Sequence, residues 1–335
     1  GIITLLVLIT VYVFRNPEKL IDRTIKNQIK KGQRTDLLED STSIVLLTVG
    51  TGTPFPGDRL PSCNAVFVNG HFFIFDIGPG TVAGLEKLNL PLDRVDGIFL
   101  THWHSDHFMD LPYAINRTWQ MGRTSDLTVY GPEGLDSIMQ GVDAFLYLEN
   151  QYRVDHHGPE IMDPAYQSAK TVLITAPEKG SQVIYQQDGI KITAFGVCHE
   201  PVRPAYGFRI EYQEKVLVLS GDTKKCDQVI QFAQDADLLL HEAMAVDIIS
   251  RISELQHEAG NDRMAHITED ILNYHTSPAE AATVAAKAQV KALVLNHLAP
   301  PPDNALLRQQ FTKGLSKIYA GPITLACDGD QFTIE

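Results

Sequence analysis

The stretch Thr101-His102-Trp103-His104-Ser105-Asp106-His107 constrains this chain more than any other. Four potential metal ligands fall within six positions, directly after Gly97-Ile98-Phe99-Leu100, an apolar segment that reads as a buried strand. Ligands just past a strand end are held rigidly while the loop carrying them stays open to substrate. A turning loop can converge both imidazoles, with Asp106 and His107, on one small volume. Imidazole nitrogen and carboxylate oxygen suit zinc, and also manganese or iron. A histidine-rich surface loop is the bland alternative, and the aspartate at this spacing after an apolar strand argues against it.

The same placement recurs along the chain. Residues 190–197 read as a strand ending in Cys198-His199-Glu200-Pro201, and residues 216–220 as one ending in Gly221-Asp222-Thr223. Residues 237–240 lead to His241-Glu242-Ala243, and residues 293–295 to Asn296-His297. Counting donors gives His102, His104 and His199 for one metal, Asp106, His107 and His297 for a second, and Asp222 as a bridge. Such a set suits two metals roughly 3.5–4 Å apart sharing a hydroxide, the nucleophile of a hydrolase. Asp106 can also steer that hydroxide. Two Zn2+ are the expected cofactors, with Mn2+ or Fe2+ as other occupants. Each imidazole must be neutral to bind, so affinity should fall in acid. Cys198 reads as a buried bystander. The four cysteines, Cys63, Cys198, Cys226 and Cys327, show no CxxC spacing and no disulfide framework that spacing can pair.

Upstream, residues 2–14 carry no charge and are almost wholly apolar. Thirteen helical residues rise about 20 Å, short of the ~30 Å hydrocarbon core. The segment reads as the end of a transmembrane anchor or uncleaved signal, with a core helix as the alternative. Asn16 and Pro17 look like an N-cap and first helical position. Leu20, Ile21, Ile25 and Ile29 then recur at helical spacing among Lys19, Arg23, Lys26 and Lys30. This basic amphipathic helix suits a membrane surface or packing on the catalytic domain. The expected organisation is an anchor (1–14), an amphipathic helix and linker (15–42), and a hydrolase domain (43–335). Basic residues after a span favour the cytoplasmic side. The expectation adopted is nevertheless a membrane-anchored envelope protein with its catalytic domain in the periplasm.

Within the domain, residues 44–49 read as a strand before the tight turn Gly50-Thr51-Gly52-Thr53-Pro54, and Asn69-Gly70 as a hairpin turn. Asp76 either orients a ligand histidine or caps the next helix. Residues 149–168 read as a solvated loop holding His156-His157. Trp103, Phe108, Trp119, Phe145 and Tyr147 are expected chiefly in the core, with some lining a pocket. Ser277-Pro278-Ala279-Glu280 is a capping box with proline at the first helical position. His275 thus stands at the mouth of a helix, where it can protonate a leaving oxygen; a helix-flanking surface residue is the plainer reading. Glu242 could orient His275 and hold it charged. His241 reads as lying behind the ligands. Residues 246–269 read as a loop-helix lid, with no chemical role for His257 or His266.

These residues resemble the metallo-β-lactamase superfamily and, within it, the ribonuclease Z and zinc-type arylsulfatase branch, over about residues 43–335. The His102–His107 motif is the most specific match. Gly50–Pro54, Asp76–Gly80, Gly221–Thr223, His241–Ala243 and Ala326–Gly329 match shorter signatures, and His275-Thr276-Ser277 matches the motif that supplies an extra catalytic histidine. The resemblance implies an α/β fold, a four-layered αββα sandwich with the dimetal site at one edge of its two sheets. Flavodiiron members carry a glutamate where this chain has His104, which favours a hydrolytic zinc centre.

Two departures bear on substrate. Only residues 200–221 separate His199 from Asp222, which leaves no room for the long tRNA-gripping arm of familiar bacterial ribonuclease Z. After His297 the chain reads Leu298-Ala299-Pro300-Pro301-Pro302 in place of a serine and an Arg-Tyr pair. The net charge of −13 also argues against broad nucleic-acid binding. The expectation is therefore a membrane-associated dizinc hydrolase of a small sulfate or phosphate ester, arylsulfatase-like first, with nucleic acid an unlikely partner. The alternatives are a phosphodiesterase or tRNA 3′ endonuclease, a lactonase or β-lactamase, and a silent membrane-tethered metal-binding scaffold. Family members often form homodimers, but no stripe here identifies an interface.

Overall fold

In the computed structural model, which describes residues 17–335, two seven-stranded sheets pack face to face. The first has the order β14 (Asp330–Ile334), β1 (Ile44–Gly50), β2 (Cys63–Val68), β3 (His71–Phe75), β4 (Val95–Phe99), β5 (Thr128–Gly131), β6 (Lys170–Leu173). The second has the order β13 (Ile323–Leu325), β12 (Ala292–Ala299), β11 (Leu238–Met244), β10 (Lys215–Leu219), β9 (Tyr206–Tyr212), β8 (Ile190–Gly196), β7 (Ser181–Gln187). Each sheet is antiparallel on one side and parallel on the other. Hairpins join β2 to β3 and β9 to β10, whereas β3–β6 and β10–β13 pair in parallel. A parallel neighbour needs a crossover, and the helices supply it.

The helices are α1 (Pro17–Lys31), α2 (Asp36–Glu39), α3 (Thr81–Lys87), α4 (Ser105–Phe108), α5 (Leu111–Gln120), α6 (Leu135–His157), α7 (Asp227–Phe232), α8 (Val246–Glu258), α9 (Asp262–Asp270), α10 (Pro278–Lys287) and α11 (Ala305–Thr312). Three apolar layers follow. Leu47, Phe67, Ile98 and Val129 pack with Ile115 and Leu146 of α5 and α6 on the outside of the first sheet. Phe75, Phe99, Phe208 and Leu240 fill the space between the sheets. Leu239, Leu293 and Leu295 meet Val229 of α7 and Val284 of α10 outside the second. This is the expected αββα sandwich. Strands β1 and β2 are buried throughout because both faces are covered, which explains their continuous apolar runs.

Residues 1–16, and with them the expected apolar anchor helix of residues 1–14, lie outside the described residues. Among the described residues no helix is long and apolar enough to cross a membrane. Helix α1 begins at Pro17 as expected, and its Ile21 and Ile25 are exposed rather than packed on the domain. Residues 149–157 are not a loop: α6 runs on to His157, supported by a Glu149–Arg153 ion pair at 2.7 Å. His156 and His157 form its exposed last turn, where basic groups suit the helix dipole. Phe145 and Tyr147 are 77% and 63% exposed, so neither is in the core, whereas Trp119 is buried.

The expected capping box is present. Glu280 N–H donates to Ser277 Oγ at 3.3 Å, and Ser277 N–H to Glu280 Oε2 at 3.1 Å. Ser277→Ala is expected to lower stability by about 1 kcal/mol, measured as a lower urea midpoint at unchanged slope. A loss under ~0.3 kcal/mol would mean that the cap is idle.

Candidate metal centre

The loop after β4 is pinned before it reaches its first histidine. Thr101 N–H donates to Asp76 Oδ1 at 2.9 Å, and across the sandwich Tyr206 N–H donates to Thr101 O at 3.1 Å. Asp76 is buried at the end of β3 in a left-handed backbone, φ 58°. Its other oxygen lies 2.7 Å from His107 Nδ1, which turns Nε2 of that ring inward. Of the two readings of Asp76, the structure shows the histidine contact; Val82 N–H at the start of α3 donates to Asp110 instead.

His102, His104, His199 and Asp222 bring one donor atom each within 4.8 Å of one another, and so do Asp106, His107 and His297. They are the seven residues singled out from the sequence, with Asp222, expected there as a bridge, grouped here with the first three histidines. Asp222 Oδ2 lies 3.9 Å from His102 Nε2, 3.3 Å from His107 Nε2 and 3.6 Å from His297 Nε2, so it faces both. Gly221 permits this placement: its φ is 61°, and a Cβ there would meet Tyr206 O at 2.4 Å. His199 directs Nδ1 at Tyr274 O, 3.1 Å away, leaving Nε2 toward the set.

The donors fit divalent cations on their own geometry. His102 Nε2 is buried with no hydrogen-bond partner. His107 Nε2 and His297 Nε2 approach to 3.1 Å, and His199 Nε2 and His104 Nδ1 to 3.3 Å. Two ring nitrogens facing each other need a proton or a cation between them. Burial keeps His102 well below its ordinary pKa, lowers His104, and brings His199 to about 4, so all three are neutral and ready to ligate. Burial opposes charge on His107 too, but Asp222, Asp106 and Asp76 outweigh it and raise its pKa well above the ordinary value. A cation answers the same carboxylates. Imidazole with carboxylate and no thiolate suits zinc and also harder first-row ions.

His297 is placed by a device the sequence does not announce. Strand β12 does not end before it but runs from Ala292 to Ala299. In the pairing with β11, Glu242 opposes Asn296 and Ala243 opposes Leu298, so His297 is the extra residue of a bulge, at φ 47°. A bulge re-aims one side chain out of the strand's alternation. Strand β11 likewise runs through His241 and Glu242 rather than stopping before them. His241 is buried, its Nδ1 2.8 Å from Glu242 O, and belongs to neither donor set.

Beside the donors, His275 Nδ1 lies 3.0 Å from Glu242 Oε1. That oxygen also accepts from Thr223 N–H at 3.1 Å and Thr276 N–H at 3.2 Å, which fixes the carboxylate. Burial works against charge on His275, but the Glu242 carboxylate prevails and brings its pKa to about 9. The plainer reading of His275 as a helix-flanking surface residue does not hold, since its side chain is only 12% exposed.

A cavity of about 290 Å³ opens over Asp106, Asp222, His275 and His297. Its far wall is apolar: Phe55, Met244, Met264, Ile267, Ile271 and Tyr274. Most of that wall comes from α9 and the turn after it, so residues 246–269 do fold as a helical cover, though not as a loop. Sequence reading passed over these wall residues; Met264, Ile267 and Ile271 at helical spacing were the available signal. Trp103 and Phe108 pack on each other against the outer core of the first sheet instead of lining the cavity.

The Beta-lactamase superfamily domain matches residues 71–298. The chain is 30% identical to the Ribonuclease Z of Mycolicibacterium paratuberculosis over 292 residues, 85% of this chain and 96% of that protein. Its fold is similar to that of human tRNase Z, short form, with a TM-score of 0.61 and 24% identity over 87% of this chain and 99% of that one. It is similar also to the metallo-beta-lactamase fold protein YhfI from Bacillus subtilis, with a TM-score of 0.62 and 18% identity over 88% and 100%. Relatives named for cleaving RNA overturn the expectation of a small-molecule ester with nucleic acid an unlikely partner. They also put arylsulfatase action behind the phosphodiesterase reading. The reasons for the error are physical. Net charge is a sum over the whole surface and says little about one cleft. The absent arm is real, since β9 and β10 form a tight hairpin, but it bears on one means of gripping RNA and not on the chemistry.

Proposed function

Because the chain belongs to the beta-lactamase superfamily and to its ribonuclease Z branch, and is a metal-dependent hydrolase of phosphoric ester bonds, we propose that it is an endoribonuclease of the tRNA 3′-processing kind. The observation that carries this reading is the His275–Glu242 pair beside two donor sets that open into one cavity through His104, Asp106, Asp222 and His297. In the proposal His102, His104, His199 and Asp222 hold one divalent cation, Asp106, His107 and His297 hold the other, and Asp222 faces both. When bound, the cations supply Lewis acidity and acidify a water toward neutral pH.

The chain's own residues do the rest. Asp76 fixes the ring of His107 and Tyr274 O that of His199, so both histidines enter with the ligating nitrogen already chosen. His275, held by Glu242 through Nδ1, keeps Nε2 for the leaving oxygen and donates a proton there. Phe55, Ile267 and Tyr274 seat the nucleoside beside the scissile phosphate and keep bulk water out.

Zinc- or manganese-loaded protein is expected to cut a precursor tRNA once, freeing the 3′ trailer, as read on a sequencing gel. The reading fails if the same preparation hydrolyses bis-nitrophenyl phosphate and leaves precursor tRNA intact.

A further inference from the structure

Cys198 stands immediately before His199, and Cys226 lies at the end of the loop that carries Asp222. Their Sγ atoms approach to 2.7 Å, closer than two thiols that merely touch. The approach does not depend on side-chain rotation alone. Lys224 N–H donates to Cys198 O at 2.9 Å and Cys198 N–H to Thr223 Oγ1 at 3.1 Å, so backbone bonds hold the two loops side by side. Both cysteines lie outside the donor sets, and nothing in the proposed chemistry uses them. We propose that Cys198 and Cys226 form a disulfide that locks the His199 loop to the Asp222 loop and so governs how firmly the first donor set retains its cation.

Access favours the reaction. Cys198 is partly exposed in a cleft of about 40 Å³ that it shares with Glu178, Lys179, Arg203 and Gln228. Cys226 is buried behind it. The oxidant is a small disulfide such as oxidised glutathione, or a thiol–disulfide oxidoreductase. Cys198 attacks one oxidant sulfur to give a mixed disulfide, and Cys226 then displaces the remaining thiol. Two protein thiols lose two protons and two electrons, and the oxidant's disulfide bond takes them up as two thiols. The bond closes a segment 28 positions apart, which restricts the unfolded chain as well as the two loops. Spacing alone could not pair these residues; the fold does.

The test uses the zinc-loaded full chain, equilibrated with oxidised or with reduced glutathione, then denatured, alkylated and mapped by mass spectrometry. Oxidised protein is expected to yield a joined Cys198–Cys226 peptide, with Cys63 and Cys327 alkylated. Its Tm should exceed that of the reduced form by roughly 5 °C. Zinc release to a chelator should be roughly tenfold slower, the scale on which firmly held ligand supports act. A Cys198→Ser/Cys226→Ser variant should keep basal activity and lose both redox responses. Alkylation of both cysteines in the oxidised sample overturns the bond. A joined peptide with unchanged zinc release overturns the lock.

Discussion

Asp222→Asn is expected to lower turnover on any phosphodiester by about 10⁴-fold or more, since an acidified water is worth many decades of rate. Bound cation should fall from two equivalents to one or fewer. The carboxylate faces both donor sets, at 3.3–3.9 Å from three ligand nitrogens, and an amide of the same shape removes only its charge. The partner groups make the loss larger. Asp222 is also one of the carboxylates that raise the pKa of His107, so its loss weakens the field at a neighbouring donor as well as the site's affinity. Metal content after dialysis, beside initial rates, separates the two effects. His157→Ala, at the exposed end of α6, is the control and should keep both equivalents. An Asp222→Asn protein with two cations and more than about a tenth of the normal rate would sink the bridging assignment.

The second large effect is expected at His275. His275→Ala should keep both cations and lose about 10²–10⁴-fold in rate on substrates with a poor leaving oxygen. With a nitrophenolate leaving group the loss should be small, because that oxygen departs without a proton. The pH profile carries the sign. Glu242 raises the pKa of His275 to about 9, so the group is an acid below that value and loses its proton above it. Two bound cations draw the value down, so the alkaline limb of the rate should lie at or below about pH 9. Glu242→Gln removes the charge that raises His275, and the limb should move to lower pH. His275→Ala should remove it. Unchanged rates on a poor leaving group would show that the proton comes from elsewhere.

Much of this centre was legible in the chain because its donors follow strands whose apolar runs are plain. His102 to His107 follow β4, and His199 and Asp222 follow β8 and β10. The helix start at Ser277 was legible because a capping box is local chemistry. The bulge at His297 was not. Leu293–Leu295 reads as a strand that ends at Asn296-His297, and the left-handed histidine inside the longer strand is fixed by pairing with β11, which local sequence does not encode. The extent of β11 was hidden for a related reason. His241 and Glu242 look like the end of a strand, and the strand continues through them because β12 pairs with it beyond the point where β10 stops. Residues 149–157 misled because their polarity suits a loop and an exposed helical face equally. Phe55 and Met244 of the cavity wall were obscured because they lie far in sequence from Met264, Ile267 and Ile271, which they join only in the fold.

Each donor set draws on both sheets: His102, His104, Asp106 and His107 come from the first, and His199, Asp222 and His297 from the second. This arrangement bears on how the protein is made. A chain leaving the ribosome displays four donors early and cannot complete the second set until His297 has been added. The first sheet is itself closed by β14, the last strand synthesised among the described residues, which pairs with β1. A chain that stalls before His297 is therefore released without a complete second donor set.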